Sequence, residues 1–187
     1  MNQLNYTAMV PGPDDFVYGA KNLNQLAKLS DFPFLISNLR CNKCDLSNSN
    51  FKRYIIKEIN GIKIGILGFI DTELTDKALD DNIKGISIVG IKESLDYWIP
   101  RINNISDVLI ILTSTGVPYD REIVYNAFIE EIKDKNINQD HQHLNAIKMG
   151  YFSDDVDIIV SGGISKGYRI PWIDPNTGTM IMQNYGN

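Results

Sequence analysis

The sequence predicts an α/β fold in which mostly parallel strands form one sheet with helices at its flanks. Three nearly continuous apolar stretches, residues 62–70, 108–112 and 158–160, are typical of strands buried on both faces. Apolar residues at helical spacing fill segments 91–102 and 120–134 between those strands. Strands that alternate with helices along the chain imply an α/β architecture.

The first of these strands is predicted to belong to a hairpin. An Asn-Gly dipeptide at 60–61 joins it to an alternating stretch at 54–59, and this dipeptide tolerates the positive φ angles of a type I′ turn. Gly65 and Gly68 interrupt the apolar strand, so we expect another segment of the chain to approach closely there.

The remaining elements follow from local patterns. Strands are predicted at 8–10, 32–36 and 86–89, helices at 19–29 and 141–149, polar loops at 37–50 and 72–85, and a closing hairpin within 170–182. Pro100 is expected to close the helix at 92–102. Asp120 is expected to cap the next helix, whose predicted inward residues are Ile123, Val124, Ala127, Phe128 and Ile132.

The length and the net charge of the chain limit the classes of protein to which it can belong. The 187 residues fit one domain, and the net charge of −5 without a basic cluster argues against a nucleic-acid partner. No apolar run approaches the length of a transmembrane segment, and the first residues do not have the pattern of a signal peptide.

Loops rich in Gly, Ser, Thr and Asp follow three of the predicted strands. These loops are Gly12-Pro13-Asp14-Asp15-Phe16, Thr113-Ser114-Thr115-Gly116, and Gly162-Gly163-Ile164-Ser165-Lys166. If the strands are parallel, all three loops lie at one edge of the sheet, where ligands bind in open α/β sheets. Asp71, just past the hairpin strand, would lie at the same edge.

These loops, with the stretches at 32–39, 51–71 and 156–163, resemble the 5′-nucleotidase and UDP-sugar hydrolase branch of the calcineurin-like metallophosphoesterases. The corresponding family motifs are Gly-Asn-His-Glu-Phe, Leu-Ser/Thr-His-x-Gly and Gly-Gly-His-Ser-His. The resemblance covers nearly the whole chain and implies a single, partial domain over residues 1–187, since the family's first Asp-x-His motif would precede residue 1.

The resemblance implies two divalent metals held by Asp, Asn and His side chains, and a bridging water that attacks phosphorus. The motif positions are occupied here by Gly12, Pro13, Asp14, Asp15, Ser114, Gly163, Ile164 and Lys166. The metal-binding Asn is replaced by Pro13, and later metal-binding His residues by Ser114, Ile164 and Lys166. Pro and Ile offer no donor atom and Lys repels a cation, so the departures predict a scaffold without the dimetal site and without a cofactor.

The predicted function is therefore a degenerate 5′-nucleotidase-like domain that serves as a scaffold or a binding module, with a nucleotide or another phosphate ester as its ligand. The alternative is an active phosphoesterase with an altered ligand set, in which Asp14 and Asp15 would help to hold Mn²⁺, Zn²⁺, Mg²⁺ or Ca²⁺. The family is largely exported, which implies an extracytoplasmic location, periplasmic or at the cell surface.

Two further features carry separate hypotheses. Cys41 and Cys44 have the spacing of a local disulfide, a redox pair or half of a zinc site, so a CxxC redox or metal-binding protein is a second alternative. His141 and His143 point in different directions on a helix and are expected to be solvated. Lys166, beside the Gly-Gly pair, could bind an anion.

Overall fold

The computed structural model describes residues 1–134, 143–163 and 168–183. The predicted site residues Ile164 and Lys166 lie outside the described residues, as does His141. The strands are β1 (Phe34–Leu35), β2 (Leu39–Cys41), β3 (Phe51–Lys52), β4 (Tyr54–Ile59), β5 (Ile62–Phe69), β6 (Ile86–Ile88), β7 (Val108–Thr113), β8 (Ile158–Ser161), β9 (Trp172–Ile173) and β10 (Met180–Gln183). The α-helices are α1 (Gly19–Leu29), α2 (Leu74–Lys77), α3 (Ile91–Asn103), α4 (Arg121–Lys133) and α5 (Ala146–Tyr151), and 3-10 turns cover Asn2–Leu4, Pro13–Phe16 and Asp80–Ile83.

A six-stranded sheet in the order β4-β5-β7-β8-β10-β9 forms the centre of the fold. The four inner strands are parallel, and the outermost strands β4 and β9 pair antiparallel with their neighbours. The predicted α/β class and the mostly parallel sheet are confirmed. The sequence predicts that segments 108–112 and 158–160 are both parallel neighbours of the hairpin strand, but strand β8 pairs with β7 and not with β5.

The predicted hairpin is present as β4 and β5. Asn60 and Gly61 both have positive φ angles, 53° and 84°, as a type I′ turn requires. The two interrupting glycines permit close approaches. A Cβ at Gly65 would lie 2.5 Å from Cγ2 of Ile102, and one at Gly68 would lie 2.3 Å from Cβ of Leu35. Both predicted close approaches are therefore confirmed.

Two apolar cores flank the sheet. The larger lies between the sheet and helices α3, α4 and α5, and the fully buried Leu67, Ile111 and Ile159 contribute to it from β5, β7 and β8. The smaller core packs α1 and the segment around β1 against the end of β5, and its centre contains Phe16 and Leu23. Among the described residues, no helix has both the length and the apolar character that a membrane span needs.

Several local predictions differ from the structure. Helix α3 continues past Pro100 to Asn103, and we attribute this to the burial of Ile99 and Ile102 on its last turns, which compensates for the backbone hydrogen bond that proline cannot donate. The segment predicted as the loop 37–50 contains β2, which pairs with β6. The segment at 8–10 forms only an isolated bridge through Met9.

Helix α4 faces the core with only part of the predicted side. Phe128 is buried as predicted, whereas Ile123 is 69% exposed and Ala127 is also exposed, and Tyr125 is buried in their place. Asp120 does stand at the N-cap of this helix, but its side chain makes no capping hydrogen bond.

Candidate functional site

The structure brings the predicted loops together at the carboxyl ends of β5, β7 and β8. The amide of Gly162 donates to the carbonyl of Thr113 at 2.7 Å, and the amide of Gly116 donates to the carbonyl of Gly162 at 2.9 Å. The amide of Asp71 donates to Oγ of Ser114 at 3.0 Å. Hydrogen bonds from backbone and hydroxyl groups therefore connect the ends of these strands along one edge of the sheet.

Two adjoining cavities of about 340 and 690 Å³ open at this edge. We call them together the edge cleft, which is lined by Pro13, Asp14, Asp71, Ser114, Lys148 and Gly163, among others. Pro13, Asp14, Ser114 and Gly163 line both cavities, so the predicted motif positions lie at the centre of the cleft.

The two adjacent acids of the first loop have different surroundings. Oδ2 of Asp15 accepts a hydrogen bond from the amide of Gly12 at 2.7 Å and so caps the turn that begins at Pro13. Asp14 is exposed and lines the cleft. The carboxylate of Asp15 thus holds the loop in shape, and Asp14 is the acid of this pair that is open to solvent.

Asp71 and Glu73 form a small ion-pair cluster with Lys77. The Nζ of Lys77 lies 2.6 Å from Glu73 and 3.6 Å from Asp71, and Oδ1 of Asp71 also accepts from the amide of Glu73. The hydrogen bond from Lys77 lowers the pKa of Glu73, and the same contact raises the pKa of Lys77. Because the Lys77 and Glu73 side chains are about half exposed, the pair between them contributes little to stability.

Sequence reasoning missed several residues of the cleft, among them His143, Asn145 and Lys148. His143 is exposed, as predicted, but its Nδ1 also lies 2.8 Å from Oγ1 of the buried Thr72, 71 positions earlier in the chain. Lys148 reaches the same cleft from α5, whose first turn is capped by Oδ1 of Asn145. Asn145 before an apolar helical segment was a detectable capping signal, whereas no local pattern pairs His143 with Thr72.

No protein-family model matches the chain. The known proteins that do resemble it include phosphoesterases. The trifunctional nucleotide phosphoesterase protein YfkN of Bacillus subtilis (strain 168) is 31% identical over 130 residues, which are 63% of this chain and 8% of that protein. The structure of the calcineurin-like phosphoesterase YfkN of Bacillus subtilis superposes with a TM-score of 0.63 at 26% identity, over 86% of this chain and 46% of that one.

A Staphylococcus aureus protein described as a 5′-nucleotidase superposes with a TM-score of 0.73 at 16% identity, over 97% of this chain and 32% of that one. The chain has the fold of the calcineurin-like phosphoesterases, which the 5′-nucleotidase structure shares. This confirms the family resemblance predicted from the loops. The chain spans less than half the length of each of these relatives.

The described residues of this phosphoesterase fold do not fit a two-metal centre. Pro13 has no donor atom, and Oγ of Ser114 already accepts the amide of Asp71. Within residues 1–134, 143–163 and 168–183, no three His, Cys, Asp or Glu side chains lie together in a way that could hold a metal ion. Such a centre needs ligands that hold two ions about 3.5–4 Å apart.

The cysteine pair lies away from the edge cleft. Cys41, at the end of β2, forms a disulfide with Cys44, and neither residue lines either cavity of the cleft. Of the alternatives open for the CxxC motif, the structure shows the local disulfide, in which neither sulfur is a thiolate that could bind zinc.

Proposed function

We propose that this chain is a 5′-nucleotidase-like domain that binds a phosphate ester in the edge cleft and does not hydrolyse it by dimetal chemistry. The observation that carries the proposal is the presence of Pro13 and Ser114 in both cavities, at positions where the family resemblance implies metal-binding Asn and His. A cleft of this size accommodates a small ligand. The named activity of a relative, nucleotide phosphoesterase, supports a nucleotide as that ligand.

Lys148 is the cation best placed to attract the phosphate group. The charge of Lys77 is balanced by Glu73 and Asp71, whereas the nearest carboxylate oxygen to Nζ of Lys148 is 4.0 Å away, on Glu131. The Lys148 side chain is 25% exposed, so partial burial strengthens its interaction with an anion.

The alternative function, an active phosphoesterase with an altered set of metal ligands, has less support. It needs Asp14 and Asp15 to share a cation such as Mn²⁺, Zn²⁺, Mg²⁺ or Ca²⁺, but the carboxylate of Asp15 is engaged by the Gly12 amide. Asp14 alone would supply one ligand, whereas Zn²⁺ takes four and Mg²⁺, Mn²⁺ and Ca²⁺ take six or more. The proposal therefore assigns no resident metal to the cleft.

AMP binding tests this proposal. We expect AMP to bind in buffer that contains EDTA, as measured by equilibrium dialysis, and to be recovered without hydrolysis. Lys148→Ala should weaken binding about fivefold or more, because it removes a charge-assisted contact. Lys133→Ala is the matched control, since Lys133 lies exposed on α4 outside the cleft, and it should leave AMP binding unchanged. Equal affinity in the Lys148 variant, or no AMP binding, would contradict the proposal.

We also propose an extracytoplasmic location. The resemblance implies it, and the Cys41–Cys44 disulfide supports it, because disulfides persist mainly in oxidising compartments. Alkylation of intact cells with a thiol reagent, followed by mass spectrometry, should find both cysteines unmodified. Two alkylated cysteines in freshly lysed cells would count against this location.

A further inference from the structure

Three of the arginines line one cavity that shares no lining residue with the edge cleft. The chain has 13 lysines and five arginines among its 18 basic residues, and Arg40, Arg53 and Arg101 border this cavity of about 600 Å³. Tyr97 and Trp98 of α3 form part of its wall. We call it the arginine cavity. In a lysine-rich chain, the gathering of most arginines at one place is a specific feature of the surface.

Arg53 is fixed in place by the backbone. Its Nη1 donates to the carbonyl of Ile36 at 2.7 Å and also to the carbonyl of Leu39. Within the described part of the chain, Nη2 and Nε of Arg53 make no hydrogen bond, and no carboxylate lies within ion-pair distance of its guanidinium. The side chain is thus preorganised and keeps donors for a ligand.

The other charges of the cavity leave a positive excess. Arg40 pairs with Glu93 at 3.4 Å through two largely exposed side chains, and such a pair is weak. Asp96, the second acid of the cavity wall, is paired with Lys92. The guanidinium of Arg101 stacks on the ring of Tyr97 at 3.7 Å and, within the described residues, has no carboxylate partner.

Burial, and after it the positive charge of Arg40, lowers the pKa of Arg53. The two guanidinium groups therefore repel each other in the free protein, and an anion bound beside them would remove that repulsion. Arginine presents a planar fork of donors that matches the oxygens of a phosphate group, and this match distinguishes it from the point charge of lysine.

We propose that the arginine cavity is a second binding site, which holds the phosphate group of a small ligand through Arg53 together with Arg40 and Arg101. A cavity of about 600 Å³ has room for a phosphorylated metabolite of nucleotide size. This proposal does not rest on the function proposed for the edge cleft, because the two sites have no residue in common.

Calorimetric titration of the folded chain with inorganic phosphate and, separately, with AMP tests the site. Arg53→Ala is unsuitable as the first variant, because it removes the donor to two backbone carbonyls and could prevent folding. The double variant Arg40→Gln with Arg101→Gln leaves the two carbonyl contacts of Arg53 in place, and we expect it to weaken binding by about tenfold or more. Tighter binding of AMP than of phosphate would identify a phosphate ester as the ligand, and the reverse would identify free phosphate.

Both titrations are made on the Lys148→Ala variant, because that substitution weakens AMP binding in the edge cleft and Lys148 does not line the arginine cavity. In this background Arg169→Gln removes a positive charge outside the cavity, so as the control for general charge effects it should leave binding within about twofold. The proposal is overturned if neither probe binds, if Arg169→Gln weakens binding as much as the double variant does, or if the double variant binds as tightly as its parent. The function proposed for the edge cleft is tested separately, by the effect of Lys148→Ala alone on AMP binding.

Discussion

Replacement of Leu67 by alanine should destabilise the protein by about 2–5 kcal/mol, because it opens a cavity in a close-packed core. Leu67 is fully buried on the central strand β5, between its register partners Tyr54 on β4 and Ile111 on β7. Regular sheet pairing on both sides restricts how far the backbone can move to fill the space. Most of the lost packing should therefore appear as lost stability.

Chemical denaturation followed by circular dichroism measures this effect. The matched control is Ile59→Ala, which removes a side chain of similar size from the same hairpin, where it is 47% exposed. We expect the control to lose less than about 1 kcal/mol. If Leu67→Ala costs no more than Ile59→Ala does, the assignment of Leu67 to the core is wrong.

Sequence reasoning succeeded where local chemistry determines structure. The Asn60-Gly61 turn fixes the hairpin because these residue types tolerate positive φ, and the apolar strand that follows has few alternatives to the centre of a sheet. The glycines at 65 and 68 were informative for the same reason, since a close approach excludes any side chain there. The convergence of the loops at one edge followed from the parallel pairing of the inner strands.

Prediction failed where the apolar pattern of a helix fitted more than one buried face. It also failed where residues far apart in the sequence come into contact. Apolar residues surround much of α4, so periodicity placed Phe128 correctly in the core but could not choose between Ile123 and Tyr125 as its buried neighbour. His143 with Thr72, and the three arginines of the second cavity, come from separate segments that only the tertiary fold brings together. Such sites carry no signal in local sequence spacing.

We propose that the fold persists while the residues at its edge cleft do not support dimetal chemistry. A two-metal phosphoesterase relies on several ligands at once, and their losses compound because each ion must be held in place by the remaining donors. The family resemblance implies metal-binding residues at the positions of Pro13 and Ser114, and the carboxylate of Asp15 is engaged in capping its own loop. We therefore expect hydrolysis of AMP to stay at background, whichever divalent ion is added.

The most direct test is the metal content of the purified chain, measured by inductively coupled plasma mass spectrometry after incubation with Mn²⁺ or Zn²⁺ and exhaustive dialysis, beside an AMP hydrolysis assay on the same samples. We expect far less than one bound metal ion per chain and no turnover above the buffer blank. Two retained metal ions per chain, or turnover that Asp14→Ala abolishes, would contradict it and would favour an active phosphoesterase with an altered ligand set.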